Sequence, residues 1–280
     1  MRSGRVRHGD SVAEIRQTGK SAPVAFRHTA EREFDLVVGA DGLHSQVREL
    51  VFGKESRFEK YLGYKVAAFE VEGYRPRDEL VYVMYTELHQ QVARFAMRGD
   101  RTMFLFTFAD DNPEIGDLQA QKSLVRSRFG SSGWECPQIL DSLDRTDDIY
   151  FDRISQIRMD GRAGLWASER TILVGDAAWC VSLLAGQGSA LAMVGAYILA
   201  GELFRAGGDH ARAFAQYRHR FASFILKKQK AALGFAGGFA PKSRLAMFLR
   251  NKVMNCFTIP FVANIVFSRG MADKIALPAY

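Results

Sequence analysis

The chain has 280 residues, 48% of them hydrophobic and 25% charged, enough apolar material for a sizeable core and too much for a disordered chain; two linked folding units are expected. The net charge of +7 sits in the tail, because residues 205–280 hold 13 Lys or Arg against Asp209 and Asp273, a surplus of +11, and the preceding 204 residues carry −4. No DNA- or RNA-binding module accompanies that charge, so nucleic acid is not an expected partner. A solvated helix face, peripheral contact with a membrane surface, an anionic substrate or a partner protein all remain open for the tail.

The first ten residues, MRSGRVRHGD, are basic but precede no apolar run, so no secretory signal is expected and the chain is read as cytoplasmic. Cys136, Cys180 and Cys256 are odd in number and far apart, which suits packing thiols in a reducing compartment better than a disulfide framework or a metal site.

Ser11–Arg16 and Pro23–His28 flank the turn-like Gln17-Thr18-Gly19-Lys20 and predict a hairpin leading into a buried-type core strand at Phe34–Val38. From Phe58 to about Asp110 the runs Val66–Val71, Leu80–Tyr85 and Thr102–Phe106 predict a second, largely antiparallel sheet. Helical spacing at Gln121–Phe129 and Pro137–Leu143 supplies its cover. Thr171–Val174 is a short apolar strand ending at Gly175-Asp176, and a helix runs from about Gly188 to Arg205, stopped by Gly207-Gly208.

Asp209 can cap the next helix, whose Phe214, Tyr217, Phe221, Phe224 and Ile225 share one face and read as core. Basic residues interleaved with Phe and Met from Lys227 to Lys252 suit either an interfacial helix or an ordinary scaffold helix. The uncharged stretches Ala177–Gly201 and Val253–Ser268 are interrupted by Gly186-Gln187-Gly188-Ser189 and by Pro260, so neither reads as a membrane span.

Two segments carry chemistry. In Val37-Val38-Gly39-Ala40-Asp41-Gly42-Leu43-His44-Ser45-Gln46-Val47-Arg48 a hydrophobic strand turns sharply at its carboxyl end, where open α/β sheets bind cofactors, and Asp41 becomes an acceptor at that edge. An ordinary tight turn would read the same way, and Gly42, Ser45 and Arg48 at their spacing favour function. In Ile172-Leu173-Val174-Gly175-Asp176-Ala177-Ala178 an acid again stands at a strand end and can accept from a sugar hydroxyl. Gly186-Gln187-Gly188-Ser189 then opens a helix whose unbonded N–H groups and positive dipole end attract an electron-rich group. Alone, such a segment reads as a glycine-rich helix start.

Together, the strand-Gly-Ala-Asp-Gly-x-x-Ser-x-x-Arg turn and the strand-Gly-Asp-Ala-Ala…Gly-Gln-Gly helix start, parted by a β-rich insert, resemble the two downstream fingerprints of class A flavoprotein monooxygenases, the para-hydroxybenzoate hydroxylase family, over nearly the whole chain. The resemblance implies a mixed α/β fold. It would be an incomplete Rossmann-like FAD-binding fold (1–57 and 151–206) with a β-sheet substrate-binding insert (58–150) and a C-terminal helical region (207–280). It implies FAD as cofactor, held by Asp41, Gly42, Ser45, Arg48, Gly175, Asp176, Ala177, Gly186, Gln187 and Gly188. NAD(P)H would be the co-substrate, with O2 the source of the oxygen added to an organic, aromatic or polycyclic substrate.

A flavin-dependent reductase or dehydrogenase of the same superfamily, or a non-catalytic fragment or partner subunit, are the alternatives. The family's N-terminal strand-GxGxxG-helix unit is not found in this sequence, and Trp179 and Leu183 stand where many relatives have His and Pro. Tyr64, Phe69, Tyr82, Tyr85 and Phe106 are candidate substrate-wall residues that could equally be core. No catalytic base is assigned, because His44 and His89 have no partner visible in the sequence and read as surface or packing residues.

Overall fold

In a computed structural model the described residues are 6–75, 81–159, 166–239, 241, 243–256 and 277–280, with side chains at 235–239 and 253–256 excepted. Leu80, the Cys256 side chain and the uncharged run from residue 257 onward lie outside them. The chain forms two compact units. One comprises Met1–Lys60, Ser155–Lys230 and Ile275–Tyr280; the other comprises Tyr61–Ile154 and Ala231–Lys274.

The first unit begins with β1 (Val12–Ile15), β2 (Ala22–Phe26) and β3 (Arg32–Phe34), an antiparallel sheet in chain order. The expected single strand Phe34–Val38 is two. β3 ends at Phe34, and β4 (Val37–Gly39) joins another sheet, of order β10-β11-β4, in which β10 is Ala167–Ser168 and β11 is Thr171–Leu173. Arg170 makes the break by donating from Nη1 to the Asp35 carbonyl at 3.1 Å, while its own carbonyl takes the Val37 N–H. Nor is β4 fully buried, since Val38 is 48% exposed.

β4 and β11 run parallel, with Val37 opposite Thr171 and Gly39 opposite Leu173. Gly39 is there for space. A Cβ on it would stand 2.6 Å from Leu173 Cδ2 and 2.8 Å from Val47 Cγ1, and a β-branched valine in a helix cannot swing aside.

After β4 comes the short helix α1 (Gln46–Phe52). Later in this unit α4 (Asp176–Trp179), α5 (Gly188–Arg205) and the part of α6 (His210–Phe239) up to Lys230 follow. Gly207 and Gly208 end α5 as expected, their N–H groups donating to the carbonyls of Phe204 and Leu203 in the pattern that closes a helix through left-handed residues. Asp209 caps α6 by accepting from Arg212 N at 3.1 Å. Phe214, Tyr217, Phe221 and Ile225 of α6 are buried in the core with Ile172, Leu173, Trp166 and Trp179, and Phe224 packs against them.

The second unit holds most of a five-stranded sheet of order β6-β7-β8-β5-β9, its strands being β5 (Glu59–Glu72), β6 (Tyr82–Glu87), β7 (Gln90–Ala96), β8 (Arg101–Ala109) and β9 (Tyr150–Ile157), of which Glu59, Lys60 and residues 155–157 belong to the first unit. Helices α2 (Leu118–Phe129) and α3 (Cys136–Asp144) cover one face, where Phe69, Val92, Phe104, Phe106 and Phe108 meet Val125, Phe129, Ile139 and Leu143. Phe69 and Phe106 are therefore core, and Tyr85 stacks on Trp134 on the same side. Tyr64 and Tyr82 alternate onto the opposite face.

Sequence patterning misses β7 and β9 because their polar residues are partnered rather than solvated. Arg94 is buried and pairs with Glu135, and Asp152, at 4% exposure, accepts from the Tyr150 hydroxyl. α7 (Arg244–Cys256) belongs to this unit, and the Pro241 carbonyl before it accepts the His89 N–H. Cys136 and Cys180 are buried free thiols, with burial raising their pKa values to about 11 and about 12. No described helix is long and apolar enough to cross a membrane.

Gly39→Ala is expected to cost about 1–3 kcal/mol, the usual penalty for overpacking a tight core. Urea unfolding of the variant beside the native chain measures it.

Candidate cofactor-binding site

Both chemical segments leave the carboxyl ends of neighbouring parallel strands. Because Leu173 faces Gly39 and Val174 N donates to the Gly39 carbonyl at 2.8 Å, the Asp41 and Asp176 turns emerge side by side, at the edge where parallel sheets bind ligands.

The Asp41 carboxylate organises its own turn. Oδ1 accepts from Ser45 Oγ at 2.5 Å and Oδ2 from Val47 N at 3.0 Å, while Ser45 Oγ accepts from Arg48 N at 2.9 Å as the cap of α1. Asp41 is nonetheless exposed, and Gly42 beside it has φ 81° with nothing within 4 Å of a would-be Cβ. The turn thus offers an acid and a stretch of open backbone.

Arg48 is fully buried. Its guanidinium donates to the Leu43 carbonyl at 2.7 Å, to Glu55 at 2.6 Å and to the Ala177 carbonyl at 3.0 Å, which ties the first turn to the second. Burial lowers its pKa, and Glu55 and Asp41 oppose that shift. His44 has a partner after all: it lies 2.8 Å from the other oxygen of Glu55 and is half-exposed.

At the second turn Gly175 has φ 67°, a conformation costly for any residue with a side chain, and a Cβ there would come 3.2 Å from that of Ala192 in α5. Asp176 is the first residue of α4 and is half-buried. Desolvation raises its pKa, against a hydrogen bond with Cys180 that lowers it. Its carboxylate oxygens are both 3.7 Å from the Cβ position of Gly188, so α5 begins directly against the acid.

The N-terminus of α5 has no side-chain cap, and the Gln187 Oε1 that could have served accepts from Lys228 instead, at 3.0 Å. Gly186, Ser189 and Ala190 are exposed around it. Uncapped helical N–H groups beside a desolvated carboxylate suit a ligand that carries both an electron-rich group and hydroxyl donors.

Beneath the turns the structure adds residues that no sequence pattern marks. Gln156 donates to the carbonyls of Val181 and Gln229, and Gln229 donates to those of Ile157, Cys180 and Trp179, both glutamines being buried. They brace a loop in which Ser182 holds φ 116°, a position that only surrounding structure can enforce. Trp179 is core, 4.7 Å from Trp166 and packed so closely on α5 that a Cβ at Gly195 would lie 2.8 Å from its ring. Leu183 stands 52% exposed at the start of the following short 3-10 turn.

A family model described as an FAD binding domain matches residues 2–220. The chain belongs to this FAD-binding family. It is 39% identical over 234 residues to an uncharacterized protein of Mycobacterium tuberculosis, which covers 83% of this chain and 62% of that one. It is also 36% identical over 277 residues to a flavin-dependent monooxygenase from an unknown prokaryotic organism, covering 96% of this chain and 68% of the relative. Among solved structures it is similar to the tetracycline destructase Tet(55), with a TM-score of 0.77, 30% identity, and coverage of 96% of this chain and 69% of the other. This chain of the FAD-binding family thus spans about two thirds of the length of the relatives it matches.

The raised pKa of Asp176 has a sign that can be tested. An aspartate whose folded pKa exceeds its unfolded one subtracts stability above the folded value, and the penalty vanishes below the unfolded value. Asp176→Asn is therefore expected to raise the Tm of the ligand-free chain at pH 7, with the gain narrowing as pH falls towards the ordinary aspartate range; melting curves across pH check both features.

Proposed function

We propose that this chain provides the sugar- and ring-facing turns of an FAD site and the substrate sheet of a flavin-dependent monooxygenase. The observation that carries the reading is the juxtaposition at one sheet edge of a desolvated acid, Asp176, with the uncapped start of α5, next to the Asp41 turn.

Each residue has a role that fits the cofactor. Asp176 accepts a hydrogen bond from a hydroxyl of the flavin's sugar-like chain, which replaces the water it lost on burial. Gly186, Gln187 and Gly188 present backbone N–H groups to the pyrophosphate or to the electron-rich ring. Gly175 and Ala177 set the turn, while Asp41 and Gly42 face ligand through carboxylate and backbone. Ser45 and Arg48 act behind them, Ser45 by capping α1 and Arg48 by holding the two turns together. FAD bound in this way, with NAD(P)H as reductant and O2 as oxidant, supplies the oxygen-transfer chemistry.

The substrate is an organic molecule laid on the sheet face that carries Tyr64 and Tyr82, away from α2 and α3. Residues of mixed character, such as Thr107 and Met103, share that face. An aromatic or polycyclic skeleton suits the aromatic side chains of that face, and the structural relative named a tetracycline destructase points to the same substrate class.

Titrating the purified chain with FAD while recording the visible spectrum tests the reading. The native chain is expected to perturb and saturate the flavin bands, and Asp176→Ala to weaken FAD by about 10- to 100-fold, the worth of one hydrogen bond to a charged group, without unfolding. A native chain that leaves the flavin spectrum unchanged would contradict the proposal.

A further inference from the structure

Among its described side chains, helix α7 exposes its largest apolar ones. Met247 and Arg250 lie on its half-buried side, whereas Leu245, Phe248 and Leu249 occupy the opposite side and are 68%, 57% and 55% exposed, with Lys252 exposed among them. Arg250 is half-buried and interacts electrostatically with Tyr82 of β6, and burial lowers its pKa. A helix at the surface of a globular unit normally does the reverse, apolar side in and charges out.

One exposed leucine would need no explanation, but three large apolar side chains at i, i+3 and i+4 form a continuous patch on one turn of helix. The charges on the patch's own helix are of one sign. Arg244 opens the helix, Lys252 sets its ammonium 5.5 Å over the Phe248 ring, and not one acidic residue occurs between Asp209 and Asp273. A second copy of the chain on this face would bring Arg244 and Lys252 against their own like charges, whereas a polyanionic surface would welcome them. No described helix can cross a membrane, so contact would be made at the surface.

We propose that α7 is an interfacial helix that sinks Leu245, Phe248 and Leu249 into the headgroup boundary of an anionic bilayer while Arg244 and Lys252 reach the lipid phosphates. Apolar burial and attraction to anionic headgroups add in this mode of binding. Long basic side chains keep their charge at the headgroups while their stems lie along the apolar surface. The proposal is independent of flavin binding.

Co-sedimentation of the purified chain with vesicles tests it, comparing phosphatidylcholine alone with mixtures containing phosphatidylglycerol. The native chain is expected to bind the anionic vesicles and not the neutral ones. Lys252→Ala should weaken binding about fivefold, the usual effect of one basic residue near such a surface. Phe248→Asp with Leu249→Asp should abolish it with the thermal melting curve unchanged. Failure of the native chain to bind would overturn the proposal. So would binding that survives the double aspartate variant, which would assign it to the charge of the tail alone, or concentration-dependent self-association without vesicle binding, which would assign the face to a second copy.

Discussion

A buried guanidinium holds the candidate site together. Arg48 has no exposed surface, and its donors are spent on two backbone carbonyls and one carboxylate; its Nε has no hydrogen-bond partner among the described residues. Burying a cation is costly unless its hydrogen bonds are made, so the carbonyls of Leu43 and Ala177 and the carboxylate of Glu55 must all be in place when the first unit folds. That requirement fixes the spacing of the Asp41 and Asp176 turns before any ligand arrives. The parallel pairing of β4 with β11, close because Gly39 carries no side chain, brings the strand ends level, and Arg48 then locks the loops that leave them.

The second turn is set at the expense of stability. Asp176 loses solvent, Gly175 holds a backbone conformation closed to other residues, and Ser182 is held at a positive φ by the bracing of Gln156 and Gln229. Such features are tolerated where the surrounding structure over-determines them, and they cluster where a ligand is to be received. The uncapped N-terminus of α5 fits the same pattern. Filling the site with hydroxyl donors and an electron-rich group would satisfy the acid and the helix start together, so a ligand of that chemistry should stabilise the fold by mass action.

Much of this was legible in the sequence where local patterns decide the structure. Gly188–Arg205 shows its start and its paired-glycine stop, and the helix has those bounds. The fingerprints at Asp41 and Asp176 marked two strand ends. What could not be read is the partnership between distant residues. Arg48 reads as a cofactor contact from its place in the fingerprint; that its guanidinium also reaches the Ala177 carbonyl, 129 residues away, is not visible there. β7 and β9 were hidden by Arg94, Asp152 and Gln156, whose polarity contradicts a buried strand until their partners are known. Gln229 lies on a helix whose pattern speaks only of its aromatic stripe, and the exposed apolar turn of α7 shows only once the exposure of Leu245, Phe248 and Leu249 is known.

The most direct test of the clamp is thermal unfolding of the ligand-free Arg48→Lys chain. Lysine keeps the charge but is a compact ammonium, unable to span two carbonyls and a carboxylate as the planar guanidinium does. The expected result is a clear loss of stability, about 2 kcal/mol or more, since a hydrogen bond to a charged group is worth about 1.5–3 kcal/mol. An unchanged melting curve would contradict the account, because it would mean that the two turns hold their places without Arg48.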